Sequence, residues 1–208
     1  MQYKEIKIGK LKTSSIELRD ITKSWLAIAL IFTFLHLGIS IISGSSLAKV
    51  LTHFFWQYFI ISLFTVGIGF LLHEMAHKIV AQHYGCAAEF RADNQMLGFA
   101  LAIAILMGFT FIAPGAVMIS GMITRRENGI ISLAGPLTNY TLALLFLAGS
   151  FFFPAFALVW KVGFMVNSWL GLFNLLPFFV FDGKKIFDWN VLIWLVMVAV
   201  GIIFVFVL

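Results

Sequence analysis

Charged side chains are scarce in this sequence: they make up 11% of its 208 residues, while 62% are hydrophobic and the mean hydropathy is +1.02. Soluble domains carry roughly a quarter charged residues, so this deficit excludes an ordinary soluble fold and places the chain in a bilayer. Cysteine is nearly absent. The single Cys86 excludes an intramolecular disulfide and cannot by itself make a cysteine-rich zinc site. An N-terminal signal sequence is also missing from the pattern, because Met1 to Lys23 is polar and mixed in charge, with no apolar core before Ser24. No internal repeat, low-complexity tract or long linker divides the chain. Finally, there is no dense basic patch. The net charge is +5, but the basic residues sit at the ends of apolar runs, which argues against a nucleic-acid partner and for membrane topology.

What the sequence does have is long apolar runs. Trp25 to Ile42, Phe54 to Leu72, Ile130 to Phe153, Phe156 to Phe181 and Val191 to Leu208 are each long enough to cross a hydrocarbon core, which takes about 20 helical residues. The expected fold is an all-α polytopic membrane protein with about five transmembrane helices. Residues 1–23 form a cytoplasmic arm and 24–208 a single membrane-embedded domain. Lys4, Lys7, Lys10, Lys12, Arg19 and Lys23 precede the first run, Lys78 and Arg91 follow the second, Arg125 and Arg126 precede the third, and Lys184 and Lys185 follow the fourth. The positive-inside rule assigns all of these to the cytoplasm and leaves Lys49 and Lys161 on the other side.

The stretch Met96 to Met122 is apolar enough to span once, yet it is broken by Gly108 and by Pro114-Gly115. Basic residues flank it on both sides. It is therefore expected to enter and return on one face as a re-entrant or β-hairpin segment, its backbone satisfied by pairing with itself or with protein. Other loops are marked by Gly44-Ser45-Ser46, by Arg125 to Gly129 and by Asp182 to Asp188. The second run continues without proline through His83, predicting a helix of about thirty residues that ends near Gly85.

On that helix, His73-Glu74-Met75-Ala76-His77 reads H-E-x-x-H. Residues four apart stand one turn above each other, so both imidazoles reach one zinc ion, and Glu74 beside the first ligand is placed to act as general base toward a water. A chance polar pattern is disfavoured here, since each charge near the bilayer centre costs about 2.5–3.5 kcal/mol on insertion scales. Catalytic zinc wants a third protein ligand. His36 lies in the first run and His53 near the far end of the second, His83 falls on another helix face, and Glu89 and Asp93 read as solvated loop charges. Asp182 is the best candidate, ending an apolar run that also holds Asn174 and Pro177, although a plain interfacial carboxylate beside Lys184 and Lys185 is the bland alternative. Pro177 is expected to loosen the helix before Asp182 by freeing the Phe173 carbonyl. Asn139 and Asn174 are amides at membrane depth that either support substrate and transition state or make helix–helix hydrogen bonds. Gly67 and Gly69 are expected to allow close helix packing.

Three motifs together resemble the site-2 protease family of intramembrane zinc metalloproteases. They are His73 to His77, the N-x-x-P-x-x-x-x-D-G stretch from Asn174 through Pro177 to Asp182-Gly183, and Ala134-Gly135-Pro136-Leu137-Thr138-Asn139, similar to the family's A-G-P-x-x-N. The resemblance covers about 54–187. It implies a three-helix catalytic core, one Zn2+ held by His73, His77 and Asp182, Glu74 as base, and a transmembrane protein as substrate. Phe178 to Phe181 is wholly apolar and Lys184 stands where the family often has a second glycine. No PDZ-like or nucleotide-sensing region is recognisable in these residues.

Two other functions compete. A prenyl-protein-processing type of membrane protease also uses H-E-x-x-H but needs a downstream glutamate ligand, and the only glutamate after Glu89 is Glu127 in a short charged loop. A metal transporter would line further spans with polar residues, which the first and last runs lack.

Overall fold

The computed structural model describes residues 5–9, 11–42, 44, 49–50, 52–110 and 115–208. Lys4, Lys10, Ser45, Ser46 and Pro114, used above as topology or loop markers, lie outside the described residues. The chain divides into two compact units, Met1–Ile68 with Phe90–Ala116, and Gly69–Glu89 with Val117–Leu208.

In the first unit, strands β1 (Glu5–Ile8) and β2 (Leu11–Ser14) form an antiparallel hairpin, and Ser14 caps helix α1 (Ser15–His36) by accepting from the Glu17 amide at 3.1 Å. α1 thus starts ten residues before the apolar run at Trp25, rather than leaving 1–23 as an arm. Two acidic residues of its first turns explain the difference. Glu17, fully buried, accepts from the Thr13 hydroxyl at 2.6 Å and from the Phe90 amide at 2.9 Å, and Asp20 accepts from the Ala92 amide at 3.4 Å. These carboxylates cover backbone donors that a buried strand would otherwise leave unpaired. Trp25 Nε1 donates to the Leu63 carbonyl, and Gly67 leaves the space that the Trp25 indole fills.

Helix α2 (His53–Ser62), one wider π-helical turn at Leu63–Gly67, and helix α3 (Ile68–His83) form one 31-residue helix. It ends as expected at Gly85, whose φ of 81° is left-handed, where the Cys86 amide bonds back to the Ala81 carbonyl.

Of the two ways expected to satisfy the backbone of 96–122, the described residues show pairing with neighbouring protein: helix α4 (Asn94–Met107), capped by Asp93 and closed by Gly108 at φ 76°, is followed by strand β4 (Gly115–Ser120), and β4 pairs with strand β3 (Ala87–Ala92). The reason is local. Asp93 accepts from the Gln95 and Met96 amides and starts a helix that the apolar pattern alone could not distinguish from strand.

The second unit holds the long helix α5 (Arg125–Phe152), opened by a reciprocal Thr124–Glu127 capping box, then α6 (Ala157–Asn174), α7 (Asp182–Trp189) and α8 (Val191–Phe206). Glycines on α6 and α5 set their close approach: Gly149 faces Trp160, Gly163 faces Phe146 and Gly171 faces Tyr140. Partner numbers run in opposite directions, so the two helices are antiparallel. Among the described residues three helices are long and apolar enough to cross a membrane, His53–His83, Arg125–Phe152 and Pro154–Asn174. α4 and α8 are apolar but shorter, at 14 and 16 residues.

Candidate metal centre

The second unit alone supplies the candidate site. α3 carries His73, Glu74 and His77 on one buried face. The histidines sit one turn apart, and their Nε2 atoms are 3.0 Å from each other. Asp182, first residue of α7, brings its Oδ2 to 3.2 Å from His73 Nε2 and 3.1 Å from His77 Nε2. Among the described residues these three form the group of ligating side chains suited to a metal ion.

Asp182 reaches this point because the chain after α6 folds back tightly. α6 stops at Asn174, three residues before Pro177, so the proline does not kink a helix; it lies in a connecting loop after the helix has ended. The Phe173 carbonyl is not freed either, since it accepts from the Leu176 amide at 3.2 Å. Proline disfavours helical backbone at the residue before it, which suits a stop here. Gly183 then packs directly on the Leu175 backbone, where a β-carbon would collide with the carbonyl. That carbonyl also accepts from Trp194 Nε1 at 2.7 Å. Lys184, at the position where a second glycine was noted as missing, pairs with Asp188 on the exposed side of α7.

The other imidazole nitrogens decide what the Nε2 atoms can do. His77 Nδ1 lies 2.7 Å from the Ile131 carbonyl oxygen, which can only accept, so Nδ1 carries a proton and, in the neutral ring, Nε2 holds the lone pair. His73 Nδ1 lies 2.6 Å from Asn139 Oδ1 and is protonated for the same reason. Two Nε2 atoms and a carboxylate oxygen therefore lie within about 3 Å of one another, and in the neutral rings all three turn lone pairs toward the same point. Lone pairs at that separation repel, and a cation among them removes the repulsion. The donor set, two nitrogens and one oxygen, is that of a zinc site with one position left open.

Gly135 of α5 makes room for this cluster: a β-carbon there would lie 2.5 Å from Nε2 of both His73 and His77. Beside the ligands, Glu74 is buried, and its Oε2 accepts from the Val117 amide of β4 at 2.9 Å.

Two further sequence candidates sit apart from the ligand atoms. Asn139 is fully buried with every polar atom engaged in protein, which fits a support of His73 rather than direct contact with a substrate. Asn174 is half-buried at the end of α6, and its amide donates to the Leu170 carbonyl of its own helix at 2.9 Å. Sequence reasoning missed the Ile131 carbonyl and Asn167 altogether. The first carries no side-chain signal; the second is an amide in an apolar run, which is such a signal.

Known proteins resemble this chain over much of its length. The chain is 42% identical over 190 residues, 88% of its length and 90% of the relative's, to "Putative zinc metalloprotease MJ0611" of Methanocaldococcus jannaschii. The chain belongs to the site-2 protease family of zinc metalloproteases. It is also 28% identical over 161 residues to "Zinc metalloprotease MJ0392" of the same organism, and 32% identical over 130 residues to "Putative zinc metalloprotease Rip2" of Mycolicibacterium smegmatis. These alignments cover 76% and 54% of this chain but only 39% and 50% of those relatives. No family model matches the chain, and no solved structure matches it. Zinc is the cofactor that these relatives imply, and the His73–His77–Asp182 group fits it.

Proposed function

We propose that this family member is an intramembrane protease, hydrolysing a peptide bond within or near a transmembrane segment of a protein substrate. His73, His77 and Asp182 hold the ion, and Glu74 is the general base. The observation that carries the reading is the convergence of two imidazole Nε2 atoms and Asp182 Oδ2 beside a buried glutamate on the same helix as the histidines. Zinc, when bound there, lowers the pKa of water and polarises the scissile carbonyl.

The protein's own groups do the rest. Asn139 Oδ1 and the Ile131 carbonyl hold the imidazoles in the ligating tautomer. The Val117 amide fixes one carboxylate oxygen of Glu74, leaving Oε1 to take the proton of the attacking water and return it to the leaving amine. A helical substrate has its carbonyls occupied by hydrogen bonds and must unwind locally before attack. Arg91, Arg125, Arg126, Lys184 and Lys185 assign the site side and the N-terminus to the cytoplasm. Residues 54–187 form the catalytic core on this reading.

Glu74→Gln tests it, since glutamine keeps size and hydrogen bonding but accepts no proton. Zinc content should stay near that of the unaltered protein, while cleavage of a transmembrane test peptide falls by at least about 10²–10⁴-fold, the usual contribution of acid–base catalysis. Retained cleavage would remove the mechanism, and lost zinc would make Glu74 a ligand instead.

A further inference from the structure

Below His73 a chain of two amides runs from one helix to another. Asn167 of α6 is fully buried. Its Nδ2 donates to the Gly163 carbonyl at 2.9 Å, an atom that can only accept, so its Oδ1 must face the other way. There it accepts from Asn139 Nδ2 at 3.1 Å. The second hydrogen of Asn139 Nδ2 goes to the Gly69 carbonyl at 3.2 Å. With both hydrogens placed, Asn139 has only Oδ1 to present to His73 Nδ1.

Gly69 belongs to the same device. A β-carbon on it would collide with Asn167 Oδ1, so the glycine is what lets the Asn167 amide reach Asn139. Helix packing alone would explain a small residue here, but the atom that fills the space is the amide oxygen.

We infer that Asn167 is a positioning residue, acting through Asn139 to keep the proton of His73 on Nδ1 and its Nε2 free for the metal. The inference rests on His73 being a ligand. Without Asn167, one hydrogen of the Asn139 amide is left unpaired in a buried site, and the side chain must turn to satisfy it, drawing Oδ1 away from His73. With that acceptor withdrawn, the imidazole proton of the metal-free protein moves to Nε2, where Asp182 Oδ2 at 3.2 Å accepts it and the metal is blocked.

The test uses the whole chain purified in detergent, zinc affinity by chelator competition, and ¹⁵N NMR of labelled histidine in metal-free protein. Asn167→Leu removes the acceptor and should weaken zinc binding by about 10–100-fold, the range for partners of metal ligands. Its His73 signal should shift toward the Nε2–H tautomer. Asn167→Asp keeps an acceptor oxygen whether protonated or not, and should retain both the affinity and the Nδ1–H signature. Gly69→Ala, which displaces the amide without deleting it, should behave like the leucine variant. Should Asn167→Leu not fold, the aspartate and Gly69 variants decide. Full affinity in the leucine or the Gly69 variant, or an aspartate variant as weak as leucine, would overturn the inference. An unchanged tautomer would do so too, because a merely structural amide pair would not move it. His73→Ala separates the two levels. If it loses zinc while Asn167→Leu keeps it, the ligand assignment stands and only this inference fails; if it keeps zinc, the ligand assignment itself is gone.

Discussion

Gly135 faces His77 so closely that a β-carbon on the glycine would lie 2.5 Å from the imidazole Nε2 atom. The backbone of α5 is thereby the floor of the candidate metal centre, and the A-G-P stretch acquires a physical reason. Even one methyl group there meets the two imidazole Nε2 atoms. Gly135→Ala should therefore lower zinc occupancy and activity together, with helix content by circular dichroism unchanged. A variant with full zinc and full activity would mean that the histidines have room to move.

The carboxylate assignments separate cleanly. Asp182 is buried against both imidazoles, whereas Asp93 caps α4 and Glu89 lies in β3. Asp182→Ala should lose zinc and activity. Glu89→Ala and Asp93→Ala should keep both, the latter losing only the ~0.5–2 kcal/mol that an N-cap contributes. Metal analysis of the three purified variants checks this, and an Asp182 variant with normal zinc would remove it as third ligand.

Parts of this site were legible in the sequence because they depend on local periodicity. His73 and His77 fall one turn apart on any helix, and an apolar run free of proline made that helix predictable. Other parts depend on which helix lies beside which. That His73 Nδ1 meets Asn139 and His77 Nδ1 meets a backbone carbonyl follows from the packing of α5 against α3, which no spacing encodes. The N-terminal region misled for a related reason. Glu17 and Asp20 look like solvated charges until β3 supplies the backbone donors that hold them. Pro177 read as a helix kink because its run of apolar residues continued, and only the tight return onto Leu175 ends the helix earlier.

That return makes its own prediction. Gly183 touches the Leu175 backbone, which is held from the other side by Trp194. Gly183→Ala has no soft side chain to push away, so α7 must shift and carry Asp182 with it. Zinc affinity should fall while His73 and His77 remain in place. Comparing zinc retention of Gly183→Ala with that of Lys184→Ala, an exposed neighbour paired with Asp188, separates local backbone fit from general disturbance of α7. Equal retention in the two would show that the close approach is not needed.

The last prediction concerns sidedness. Arg91 lies in β3, Arg125 opens α5, and Lys184 is on α7. Between the first two, α4 has 14 residues, about 21 Å of helix, against the roughly 30 Å of a hydrocarbon core, and β4 then returns to pair with β3. A strand that pairs with the segment preceding α4 brings the chain back to where it started. Arg91 and Arg125 should therefore share one side, and the two long helices Arg125–Phe152 and Pro154–Asn174 should bring Lys184 to that side again. Single cysteines at these three positions, in a Cys86→Ala background, should react equally with an impermeant thiol reagent added to the cytoplasmic face and be protected from the other. Opposite labelling of positions 91 and 125 would mean that the chain crosses the membrane between them, and it would put the Asp182 loop on the wrong side of its histidines.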